Sequence, residues 1–282
     1  MESWPRIAAA TMFALLITAG DKYLGLDHLT LTVTPFTLTA VAISIFLGFR
    51  NNTAYDRFWE ARTLWGALIN HCRSLTRQIL TLTSAPDEVK RELVYYVIAF
   101  AHALRHHLRR TPPWDDVSPL VPEELDELRR HQNVPNAILL ALARRLAVGR
   151  EQGWLNDFHA NVLENSLVDL MNVQGGSERI RNTPVPFPYA VLSHRVVAFY
   201  CFFLPLGLVD TVGWFTPVVV FLVSHAFFGL DALGEEIEEP FGTGPHNLPL
   251  GHISATIEMN LRQMLGEPDA PPLPLPVAGV LL

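Results

Sequence analysis

Hydrophobic and polar positions along this chain fall in long blocks, and two of the apolar blocks run to spanning length without Asp, Glu, Lys or Arg: Leu31 to Phe49 and Val212 to Leu230. Crossing about 30 Å of hydrocarbon takes about 20 residues of helix, so each block predicts a spanning helix. Two further blocks are shorter. Ile7 to Gly20 reaches spanning length only by taking in Leu24 and Leu26 beyond Lys22, and Val196 to Val209 does so through the apolar residues from Pro188 onward, with Pro205 placed to kink it. Four spans are expected.

Between the second and third spans the period changes. Leu64, Leu68, Cys72, Leu75, Ile79 and Leu82 recur at three and four residues, as do Leu93, Val97, Phe100 and Leu104. That spacing predicts amphipathic helices. The second span runs into the first of these without a helix breaker, while Pro86-Asp87-Glu88 marks a helix start. Prolines at 112, 113, 119 and 122 break the pattern, and shorter helices are expected over 123–130, 135–148 and 152–173, with a last one over 248–265. The tail after Glu267 is too rich in proline for helix and predicts an extended segment. The predicted organisation is spans one and two over 1–50, a cytoplasmic helical region over 51–183, spans three and four over 184–232, and a cytoplasmic helix with its tail over 233–282.

Charge orients the chain. Arg50, Arg57 and Arg62 follow the second span and Arg179, Arg181 and Arg195 precede or open the third, whereas Lys22 is the one basic residue between spans one and two. Basic residues accumulate on the cytoplasmic side, which places both termini and the middle region there. The net charge of −7 argues against nucleic acid as a partner. Two cysteines, Cys72 and Cys201, cannot build a four-thiolate metal site or a disulfide framework.

Candidate chemistry is sparse. No nucleophile elbow or phosphate loop is present, so no catalytic residue, cofactor or enzyme activity is assigned. His102, His106 and His107 lie within one helical turn and a half, but Arg105, Arg109 and Arg110 crowd the same helix and disfavour a cation. His194 and His225 stand at or near membrane depth with no partner identifiable, and packing histidines are the favoured reading. Val41, Ile45 and Phe49, at i, i+4 and i+8, form one stripe about 12 Å long on the second span. Spacing alone favours a lipid-facing or helix-facing role for it, shifted slightly toward a pore by Thr34, Thr37, Thr39 and Ser44.

The run FLGFRNNTAYDRFWEARTLWG, with Arg179-Ile-Arg-Asn-Thr-Pro-Val-Pro-Phe and Glu239-Pro-Phe-Gly further on, resembles the bestrophin family, particularly its bacterial branch. The likeness covers nearly the whole chain in order. It implies an all-α membrane protein of four transmembrane helices with a large cytoplasmic helical bundle, assembled in the plasma membrane, the inner one of a bacterium, as a homopentamer around a central pore lined by the second helix. The family's apolar neck then falls on Val41, Ile45 and Phe49, which reverses the reading of the stripe, and its cytoplasmic aperture on Val162. The partners implied are small inorganic ions of the sodium or chloride class and the lipid bilayer. In calcium-activated animal members a run of acids follows the Pro-Phe-Gly turn, whereas here Gly242 is followed by Thr243, Gly244, Pro245, His246 and Asn247, so calcium gating is not expected and no metal site is assigned. Glu235, Glu236, Glu238 and Glu239, upstream of that turn, read as a solvated face. Apolar rings select neither sign of charge, and the acidic balance leans toward monovalent cations. The rival reading is a non-conducting membrane scaffold that recruits a cytosolic partner.

Overall fold

The computed structural model describes residues 3–24, 31–117, 120, 122–267, 273, 275 and 276. Leu26 and most of the proline-rich tail lie outside the described residues. Within them the fold is all-α, in nine α-helices: α1 (Trp4–Leu24), α2 (Val33–Leu82), α3 (Asp87–Arg109), α4 (Pro122–Leu128), α5 (Val134–Glu151), α6 (Asp157–Asn182), α7 (Phe187–Val212), α8 (Thr216–Glu238) and α9 (Leu250–Met264). Three stretches are long and apolar enough to cross a membrane, namely Trp4–Leu24, Val33–Leu82 and Val191–Glu238. The last holds most of α7 and all of α8, parted by a 3-10 turn at Gly213–Phe215. Gly213 adopts φ 56°, a left-handed conformation that a side chain would resist, and this is what ends α7.

The chain divides into two compact units, one of residues 1–58 and 184–239, the other of 59–183 and 240–282. In the first, α1, the leading part of α2, α7 and α8 surround a core of Ile7, Ala14, Ile43, Leu47, Cys201 and Leu204, closed by Val220, Phe227 and Phe228. Tyr200 meets Phe227 edge to face at 5.4 Å, and Phe13 stacks on Phe202 at 4.1 Å. Gly207 has no room for a Cβ, because the Phe36 ring fills that space and draws α2 against α7. The Leu31 N–H donates to the Leu206 carbonyl at 2.9 Å beside it. α7 continues through Pro205, which removes one N–H from its ladder.

In the second unit α3 is the central element. Pro86 precedes it, Asp87 and Glu88 occupy its first turn, and Arg110 closes it in the left-handed conformation with its N–H on the carbonyls of His106 and His107. Leu93, Val97, Phe100 and Leu104 are buried as their spacing predicts, packed among α5, α6 and α9. The later part of α2 buries Leu68, Cys72, Leu75 and Ile79 completely, and Trp65 with them. α6 departs from the expected range: it begins at Asp157, capped by the Asn156 side chain accepting from the His159 N–H, and runs through Gly175-Gly176 to Asn182. The glycine pair does not end the helix because Gly176 is a packing position. A Cβ there would stand 2.9 Å from a methyl of Leu64.

Candidate functional site

Val41, Ile45 and Phe49 share one face of α2 and are 55%, 56% and 70% exposed, whereas Ile43 and Leu47 on the opposite face are buried in the core of the first unit. The helix thus has its back packed and its front bare. Three of the four hydroxyls thought to lend that front polarity are tied to the helix itself: Thr37 donates to Val33 O, Thr39 to Pro35 O and Ser44 to Ala40 O. Such i−4 bonds occupy the hydroxyl protons and leave the exposed face chiefly apolar. Val162 lies in the second unit on α6, 40% exposed and one turn beyond the more exposed Phe158.

Directly after Phe49 comes a buried charge. Arg50 and Asp231 keep 2% and 1% of their side chains exposed, with Nη1 and Oδ1 2.6 Å apart. The Ser193 hydroxyl donates to the same Asp231 oxygen at 2.7 Å and accepts from Arg50 at 3.3 Å, and His194 Nδ1 meets the second carboxylate oxygen of Asp231. Glu238 stands 3.8 Å from Arg50 Nη2, and Glu235 3.8 Å from His194 Nε2. Of the four acids read as a solvated face, Glu238 is largely covered and turned toward this cluster, whereas Glu235 stays mostly exposed beside His194. His194 has its partner after all. The signal was out of reach in sequence, since 181 residues separate Arg50 from Asp231. His225 lies between the rings of Trp4 and Phe221, with centroids at 5.9 and 6.1 Å.

In the second unit the three clustered histidines diverge to different carboxylates: His102 to Glu258 at 2.9 Å, His106 to Asp116 at 2.6 Å and His107 to Glu178 at 3.2 Å. Burial pushes His106 and His107 below the ordinary histidine value, against the opposing pull of Asp116 and Glu178. Among the described residues no three His, Cys, Asp or Glu side chains converge on a metal-sized site. Glu60 pairs with Arg179, which joins two of the motifs singled out in the sequence. Burial pushes the Cys72 thiol up to about 12, and Cys201 is buried as well.

The hydrogen bond with His102 holds the Glu258 carboxyl below its ordinary 4.5 against the opposing effect of burial, and Arg262, 2.7 Å away, adds to the lowering. A carboxyl depressed in the folded state contributes its full stability above the ordinary value and loses it as pH falls through the folded one. The thermal midpoint of the wild-type protein is accordingly expected to drop on acidification below pH 4.5, and Glu258→Gln to flatten that part of the midpoint-against-pH curve. A curve of unchanged steepness in the variant would assign the acid sensitivity elsewhere.

These features define an all-α membrane protein with an unpartnered apolar stripe on one long helix and a buried ion-pair cluster at the end of that stripe. Residues 2–263 match the family described as Bacterial/Fungal Bestrophin protein. A voltage-dependent anion channel-forming protein of Ralstonia nicotianae is 46% identical over 243 residues, covering 85% of this chain and 79% of its own. Its counterpart YneE from Salmonella typhimurium is 44% identical, with 87% and 81% covered. The crystal structure of a bacterial bestrophin homolog from Klebsiella pneumoniae superposes with a TM-score of 0.90 at 38% identity, covering 94% of this chain and 98% of that one. The chain belongs to the bestrophin family, a family of ion channels.

Proposed function

We propose that this chain is the subunit of a pentameric ion channel whose pore is lined by the leading part of α2, with Val41, Ile45 and Phe49 as three stacked apolar rings. The observation that carries this reading is the stripe itself, bare on one face of a helix whose other face is packed against α7 and α8. Five copies around an axis turn a bare stripe into rings, and rings of that kind gate by dewetting rather than by binding an ion. Val162 supplies a second, cytoplasmic constriction. α1, α2, α7 and α8 are each longer than the roughly 20 residues a crossing needs, which supports four spans; an even number puts both termini on one side, and the placing of basic residues favours the cytoplasmic one.

The permeant species are small monovalent inorganic ions. The named relatives are anion channel-forming proteins, yet the apolar rings favour neither sign and Arg50, next to the stripe, is neutralised by Asp231. Selection then rests on the mouths. Asp210 stands near the end of α7 with no basic residue beside it, Lys22 near the end of α1 is paired with Asp21, and the whole chain is at −7, so cations are the favoured class. Purified protein in planar bilayers under asymmetric NaCl is expected to give unitary currents reversing toward the sodium equilibrium potential. Reversal toward chloride would move the protein to the anion side and leave the pore standing. Silence in properly assembled protein would leave a non-conducting scaffold in its place.

A further inference from the structure

Phe49 ends the apolar stripe, and the residue after it is the one charged side chain that α2 sends into the interior of the first unit among the described residues. Any rotation or slide of α2 that carries Phe49 must also carry Arg50. The guanidinium is held by Asp231 on α8 and Ser193 on α7, and Asp231 is itself held by Ser193 and His194. Three neighbouring contacts fix the same register. The Asn51 amide donates to the Leu230 carbonyl at 3.1 Å, Gly234 leaves no space for a Cβ against Asn51, and Arg57 Nε donates to the Glu238 carbonyl at 3.4 Å. An apolar seam tolerates small rotations, because dispersion contacts have little direction. Charge-assisted bonds in a covered site do not.

Stability alone is a poor explanation for this pair. Arg50 Nε and Nη2 are buried without a hydrogen-bond partner among the described residues, and a covered ion pair is often no better for stability than apolar side chains of similar size. We infer that the Arg50–Asp231 pair is the device that sets the azimuth and depth of Phe49 in the neck, which makes Arg50 and Asp231 positioning residues for conduction. This inference rests on the pore reading given above.

The test compares Arg50→Lys and the apolar double variant Arg50→Met/Asp231→Leu with the parent, each with and without Phe49→Ala, by single-channel recording of reconstituted protein. Elution position and thermal midpoint serve as checks of assembly. The double variant removes both members of the buried pair, leaving Glu238 to turn to solvent and His194 to Glu235, and is expected to keep the parent's assembly yet to shift unitary conductance about twofold, the order of coupling found between contacting residues. Arg50→Lys should shift it less, and both shifts should vanish in the Phe49→Ala background. An unchanged conductance in the double variant, or an equal shift with and without Phe49, overturns the inference. Should the double variant fail to assemble, Ser193→Ala carries the same comparison, because it removes a hydroxyl contact and leaves the ions paired. The two readings fail separately. If alanine at all three neck positions leaves the current untouched, the pore reading falls; if that change acts and the Arg50 variants do not, only the positioning role falls.

Discussion

Replacing Val41, Ile45 and Phe49 together by alanine is expected to raise single-channel conductance severalfold without altering the sign of the reversal potential. All three side chains are more than half exposed, so their truncation removes no core contact of the subunit. Alanine is the best helix former, so α2 keeps its course. On the proposed pore reading, what changes is the bore. Water leaves a narrow apolar constriction because few of its hydrogen bonds survive there, and each ring widened by the loss of isopropyl, sec-butyl or benzyl carbon lowers the cost of keeping the column wet. Phe49→Ala alone should give the largest share, since its ring is the bulkiest of the three. An unchanged unitary current in the triple variant would count decisively against α2 as the pore lining.

Phe100→Ala is expected to have the largest effect on stability. The ring is fully buried on α3, the helix against which α5, α6 and α9 all pack. Truncating a phenylalanine in such a place costs about 3–5 kcal/mol, the transfer free energy plus the cavity left behind. In full-length protein the thermal midpoint should fall by many degrees, or the assembly fail to form. Phe199→Ala, at a residue 64% exposed on α7, removes the same atoms and should leave the midpoint near its starting value. Similar losses at both positions would mean that Phe199 is covered in the assembly, and the contrast would then report an interface.

Period and punctuation made much of this fold legible. The three-and-four spacing of Leu68, Cys72, Leu75 and Ile79 named the buried face of α2, and the absence of a breaker between Phe49 and Leu64 anticipated one continuous helix. Pro86 with two acids located the start of α3. The expected range of α6, 152–173, differs from the helix at both ends for local reasons: the Asn156 side chain caps a start at Asp157, and the glycine pair, with Leu64 against Gly176, lies inside the helix. At the candidate site the stripe could be found because it is local, with one helix and one period. The Arg50 cluster could not, because its members come from three helices and the contact of Arg50 with Asp231 exists only after α2, α7 and α8 have come together. Charge counting saw Arg50 as a marker of the cytoplasmic side, and the fold uses it as an anchor. The hydroxyls of Thr37, Thr39 and Ser44 show the opposite error, a polarity visible in the sequence that the helix backbone consumes.

Both native thiols are out of reach of water, Cys72 in the core of the second unit and Cys201 in that of the first. A sulfhydryl reacts as its thiolate, and burial keeps that form scarce. The unaltered chain is therefore a silent background for methanethiosulfonate reagents, and a single cysteine placed in turn at each position from Leu38 to Phe49 can be probed without first removing either natural one. Modification that recurs every three to four residues and blocks current would trace the wetted side of the helix directly.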